Sequence, residues 1–126
     1  MAKNTMTFTD NINGKSYEYN IVDGTRGMIV IDEDTSMVDV AKNIIEFYHH
    51  ESCGQCTPCR EGTSWIDKIL KKILKGDGSK EDLGTILDVC NTMNGKTGCV
   101  FAPAVKDIIS SIVKKFPEEF KTYIKN

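Results

Sequence analysis

The sequence predicts a mainly α protein, a C-terminal four- to five-helix bundle behind a small N-terminal β-hairpin and strand unit. Three observations lead there. Beyond residue 34, apolar side chains recur every three to four positions through several long stretches. Before it, short alternating runs flank Asn13-Gly14, a strong hairpin signal because both residues accept positive φ. The connections between the helical stretches are short, which favours a compact bundle. The organisation read from this is a β unit over residues 1–33 and a helical bundle over 34–126.

In the β unit, Phe8 and Ile12 precede the Asn13-Gly14 turn, and Tyr17, Tyr19 and Ile21 alternate after it. Asp23-Gly24 reads as a second turn, and Met28-Ile29-Val30-Ile31 as a short buried strand. The first helix is capped by Asp34, Thr35 or Ser36, buries Val38, Ala41, Ile44, Ile45 and Tyr48, and ends near His49-His50. The second begins at Pro58 with Thr57 as its cap, since proline suits the first helical position. Its buried stripe is Trp65, Ile66, Ile69, Leu70, Ile73 and Leu74, and Gly76-Asp77-Gly78 stops it. Ser79 and Asp82 form a capping box for the third helix, which presents Leu83, Ile86, Leu87 and Cys90 before stopping at Asn94-Gly95. The fourth begins near Pro103, with Val105, Ile108, Ile109, Ile112 and Val113 inward, and Pro117 separates it from a short terminal helix carrying Phe120, Tyr123 and Ile124.

Composition excludes several function classes. A formal net charge of −2 over 126 residues gives no reason to expect a nucleic-acid partner, which requires clustered Lys and Arg. Lys68, Lys71, Lys72 and Lys75 form a basic helix face that reads as solvated surface. No stretch approaches the ~20 apolar residues of a membrane span, and the N-terminal residues lack the apolar core of a signal peptide. A cytoplasmic location is expected, with the inner face of a membrane reached only through partner subunits. Five cysteines in that compartment point to metal or thiol chemistry rather than a disulfide framework.

Cys53, Cys56 and Cys59 stand at intervals of three in Glu51-Ser-Cys-Gly-Gln-Cys-Thr-Pro-Cys-Arg-Glu-Gly62, and Cys99 follows far downstream in Asn94-Gly-Lys-Thr-Gly-Cys99. Three thiolates so spaced reach three corners of a cuboidal [4Fe–4S] cluster from one loop, and a remote fourth closes the coordination. Gly54 lets the backbone turn and its N–H groups approach sulfur. A helix starting at Pro58 sets its positive end beside a negatively charged group, and Arg60 adds a positive charge and a hydrogen bond. Zinc bound by four thiolates is one alternative, although its ligands usually come as two pairs. A thiol–disulfide site at Cys53-Gly-Gln-Cys56 is another, but it lacks the βαβ setting of that motif. Cys90 lies in register with Leu83, Ile86 and Leu87 and reads as a small core residue. His49 and His50 read as helix-end residues and Trp65 as core.

Glu51 to Thr63 closely resembles the iron–sulfur motif of the flavin-carrying, NADH-binding subunit of respiratory complex I and of related subunits of NAD-linked hydrogenases and formate dehydrogenases. The resemblance extends to Gly27-Met-Ile-Val-Ile-Asp-Glu-Asp-Thr35, Asn94 to Cys99, and Phe116-Pro-Glu-Glu-Phe120, and so covers about residues 27–126. It implies a helical domain with one [4Fe–4S] cluster on Cys53, Cys56, Cys59 and Cys99, fed by a nearby flavin and passing electrons to further clusters; Cys90 matches no ligand. The partners implied are a flavin-containing electron donor and an iron–sulfur acceptor in a larger redox assembly.

The family's glycine-rich FMN- and NADH-binding region has no counterpart here. The chain alone is therefore expected not to oxidise NADH, and no catalytic acid, base or nucleophile is assigned. Val100-Phe-Ala-Pro-Ala104 replaces the small and acidic residues usual after the fourth cysteine. The first 26 residues read as a remnant of the ubiquitin-like domain that precedes the bundle in the family, or as an unrelated hairpin. A structural or adaptor protein using zinc or no metal, and a thiol–disulfide redox protein, stand as the rival functions.

Overall fold

A computed structural model describes residues 5–9, 16–21 and 29–125. The protein is mainly helical, with α1 (Met37–Glu51), α2 (Thr57–Lys72), α3 (Lys80–Met93), α4 (Phe101–Lys115) and α5 (Pro117–Tyr123). Strands β1 (Thr5–Thr9), β2 (Ser16–Ile21) and β3 (Val30–Ile31) pair antiparallel in that order. The turns expected at Asn13-Gly14 and Asp23-Gly24 lie outside the described residues. Of the expected buried strand Met28-Ile29-Val30-Ile31, Met28 lies outside the described residues; Ile31 is buried, but Ile29 precedes β3 and is exposed.

Helices α1 to α4 form a ring in which each packs on the next and α4 returns to α1. Its centre holds Ile45, Ile66, Leu70, Ile86, Met93, Ile109 and Ile112, all fully buried. Each such side chain is stabilised by about 1.5–3 kcal/mol relative to exposure. Short α5 lies across α1, α4 and the Ile73–Asp77 turn that follows α2 and inserts Phe120 into the same core.

The helix boundaries show where side chains other than the expected ones satisfy backbone groups. Ser36 is the N-cap of α1 but makes no side-chain cap bond. The Met37 N–H instead donates to Glu119 Oε2 of α5 at 2.7 Å. Helix α2 begins one residue earlier than expected, with Cys56 rather than Thr57 as N-cap and Pro58 in the first turn. It ends in a wide π turn over Ile73–Asp77, closed by Gly76 at φ 81°. Asp82 Oδ2 accepts the Ser79 N–H at 2.7 Å, as the capping pattern requires, and also holds Lys72 Nζ at 2.9 Å. Burial raises the Asp82 pKa, but Lys72 and the Ser79 N–H outweigh it and hold the carboxyl below its usual range. Helix α4 starts at Phe101, two residues before Pro103, again placing proline where its missing N–H costs nothing.

Trp65 is not core: it is 53% exposed. The inward stripe of α2 instead runs through Cys59, Gly62, Thr63, Ile66 and Leu70. Gly62 belongs there because a Cβ would stand 2.7 Å from Met93 Sδ of α3. The expected solvated basic face is present. Lys71 pairs with Asp67 at 2.8 Å and with Glu46 at 3.3 Å, while Lys72 pairs with Asp82.

Candidate functional site

At one end of the ring, two connections face each other. The α1–α2 loop carries Cys53 and Cys56, and Cys59 follows in the first turn of α2. The α3–α4 loop carries Cys99. All four cysteines line one cavity of 220 Å³, together with Glu51, Ser52, Thr97, Phe101 and Ala102. Cys59 is buried, Cys56 half-buried, and Cys53 and Cys99 exposed, so the cavity has a closed floor and an open mouth.

The two loops are joined by a hydrogen bond to sulfur. The Gly98 N–H donates to Cys56 Sγ at 3.3 Å, across 42 positions of sequence. Thr97 Oγ1 donates to the Cys99 carbonyl at 3.1 Å and shapes the downstream loop. On the upstream side, Gly54 takes φ +75°, a conformation L side chains rarely adopt. Its N–H donates to Ser52 Oγ at 3.3 Å. Ser52 Oγ lies 3.4 Å from Cys59 Sγ.

Arg60 makes two hydrogen bonds beside the cysteine loop. Its Nη1 donates to the Gly54 carbonyl at 2.6 Å and its Nε to Glu61 Oε1 at 3.1 Å. The guanidinium therefore fastens the cysteine loop, and its charge is paired with Glu61. The N-terminus of α2 also lies at the cavity, because Cys56 is its cap and Cys59 belongs to its first turn, which has no acidic residue. An anionic group there is favoured by the helix dipole and the unpaired N–H groups.

The other sequence candidates stand apart from the cavity. Cys90 is fully buried on α3 and absent from its lining, and burial pushes its thiol up to about 12. His49 and His50 occupy the last turn of α1, and His49 Nδ1 meets Thr63 Oγ1 at 3.3 Å. Thr63 in turn donates to the Cys59 carbonyl at 2.8 Å. Sequence reasoning missed Ser52, Gly98 and Thr63. The only available signal was adjacency, since Ser52 and Gly98 each directly precede a cysteine of the set.

Among the described residues, no helix is long and apolar enough to cross a membrane.

Relatives carry the same region within much longer chains. The chain is 40% identical over 101 residues to the NADH-quinone oxidoreductase F subunit of Mycobacterium tuberculosis, covering 80% of this chain and 23% of that protein. It is 43% identical over 101 residues to the NADH-quinone oxidoreductase F 2 subunit of Rhizobium meliloti, covering 80% of this chain and 24% of the relative. The fold matches a chain in the crystal structure of NAD+-reducing [NiFe]-hydrogenase in the H2-reduced state with a TM-score of 0.73 and 28% identity, over 78% of this chain and 17% of that one. The chain thus spans about a quarter of the length of the curated relatives it matches. The profile of the NADH-ubiquinone oxidoreductase-F iron–sulfur binding region, a 4Fe–4S family, matches residues 39–123, and on that extent of match the protein belongs to this family.

Proposed function

We propose that the chain is an electron-transfer module holding one [4Fe–4S] cluster on Cys53, Cys56, Cys59 and Cys99. The observation that carries this reading is the shared cavity: four of the five cysteines line it, and the fifth is sealed in the core. The donor set fits an iron–sulfur group, because thiolates are its usual ligands. Zinc ligands usually come as two closely spaced pairs, whereas here three cysteines come from one stretch and the fourth from a distant loop.

When bound, the cluster supplies one-electron redox chemistry with no bond made or broken in a substrate. The chain's own residues hold and bias it. Cys56 and Cys59 present sulfur at the N-terminus of α2, where negative charge is stabilised. The Gly98 N–H neutralises part of the charge on Cys56 Sγ. Arg60 holds the Gly54 carbonyl and fixes the loop that carries Cys53.

The module serves a larger NAD-linked redox assembly, between a flavin-containing donor and an iron–sulfur acceptor subunit. The relatives support this, being a subunit of NADH-quinone oxidoreductase and a chain of an NAD+-reducing hydrogenase. Membrane association would come through such partners. The division into a small β unit, residues 1–33, and a cluster-binding bundle, residues 34–126, is supported by the antiparallel pairing of β1 with β2.

Metal analysis of anaerobically purified protein tests the reading. About four irons and four acid-labile sulfides per chain are expected, falling on Cys99→Ser and unchanged on Cys90→Ala. Zinc without sulfide would replace this reading with the structural one.

A further inference from the structure

We propose that the Ser52 hydroxyl donates a hydrogen bond to Cys59 sulfur and thereby holds that ligand and raises the reduction potential of the site. The inference rests on the cluster reading above and assigns a positioning role to a residue next to the motif.

Three contacts fix Ser52. Its backbone N–H closes α1 on the Tyr48 carbonyl at 3.0 Å. Its Oγ accepts the Gly54 N–H at 3.3 Å. The same Oγ lies 3.4 Å from Cys59 Sγ. A ligating cysteine is a thiolate and has no proton to give. The hydroxyl must then be the donor, and the Gly54 N–H, occupying an oxygen lone pair, leaves its proton free to point at sulfur. The relay runs from Gly54 N–H to Ser52 O–H to Cys59 Sγ, and it ties the end of α1 to the first turn of α2.

Cys59 is the place where such a bond matters most. It is 7% exposed, the only buried member of the set, so water cannot substitute for the hydroxyl. In a low-dielectric setting a hydrogen bond to charge is strengthened. The reduced site carries one more negative charge than the oxidised site, part of it on the sulfurs. A donor therefore stabilises the reduced form more and raises the potential. The electron comes from the donor subunit proposed above, and the hydroxyl proton stays on oxygen throughout.

Two pairs of proteins test this, each differing chiefly in the hydroxyl: wild type against Ser52→Ala, and Ser52→Thr against Ser52→Val. Iron and sulfide content is measured first, then the midpoint potential by redox titration followed by electron paramagnetic resonance. The expected result is a more negative potential in Ala and Val, with Thr restored toward wild type. Failure of both hydroxyl-free variants to load, with Thr loading fully, would also support the bond, since it would show the hydroxyl holding Cys59 in place. Equal potentials in loaded wild-type and Ala proteins, or a Thr variant that behaves like Val, would overturn the proposal while leaving the cluster reading intact. A wild-type protein without iron and sulfide would instead overturn the cluster reading itself.

Discussion

Glu119 of α5 caps α1 from 82 positions away, its Oε2 accepting the Met37 N–H at 2.7 Å. Ser36, the residue in the cap position, makes no side-chain cap bond. A carboxylate at a helix N-terminus both satisfies an orphan N–H and meets the positive end of the dipole. Glu119→Ala is expected to cost about 1 kcal/mol in urea unfolding. Glu119→Gln, which keeps an acceptor oxygen, should recover part of that loss. Equal stability of all three proteins would show that the cap contributes nothing.

Cys90 sets a pH dependence. Burial raises its pKa in the folded protein from 9.0 to about 12. Between those values the unfolded chain releases the thiol proton while the folded protein keeps it. Stability from this group is thus complete below about pH 9 and declines as pH rises towards 12, with a limiting slope of about 1.4 kcal/mol per pH unit. Chemical unfolding of wild type and Cys90→Ala at pH 8 and pH 10 checks this on the apoprotein. The gap between the two should shift in favour of the alanine variant at the higher pH, because other alkaline groups titrate alike in both.

Gly78 is a packing requirement. A Cβ there would stand 2.8 Å from Ile73 Cγ1 and 3.1 Å from the Ile73 Cα, and backbone cannot yield as a side-chain tip can. The same residue accepts the Lys125 N–H on its carbonyl at 3.2 Å and bridges to Ile124. Gly78→Ala should cost about 1–3 kcal/mol, the usual range for overpacking, and lower the thermal midpoint. A neutral result would mean that the π turn shifts freely.

Neighbouring residues on α2 should behave oppositely. Trp65 is mostly exposed and Ile66 fully buried. Trp65→Ala is expected to stay within about 0.5 kcal/mol of wild type, while Ile66→Ala should lose about 2–5 kcal/mol. Denaturant midpoints decide between this and a core role for the tryptophan.

That last contrast shows what apolar periodicity reads well and badly. It located the five α-helices of the described residues, because large side chains at 3.6 spacing must face a core somewhere. On α2 it chose Trp65 over Gly62 and Thr63, since a count of bulky residues overlooks small ones that let Met93 approach. Prolines at 58 and 103 signalled a first turn but not its first residue, so the starts of α2 and α4 fall earlier than Pro58 and Pro103 suggested. The cap on α1 was invisible because the carboxylate that accepts its N–H, Glu119, is distant in sequence. At the site, spacing and resemblance together singled out Cys53, Cys56, Cys59 and Cys99, which line one cavity. The oxygen and nitrogen donors around them depend on loop geometry that no spacing rule encodes.

The 42 positions between Cys56 and Gly98 also set a timetable. At ribosomal rates of roughly 5–20 residues per second, the upstream thiols precede the downstream loop by roughly 2–8 s. Through that interval Cys53 and Cys56 are without the segment that completes their cavity. Assembly of the four-cysteine cavity therefore has to wait until α3 has folded back and set the α3–α4 loop against the α1–α2 loop.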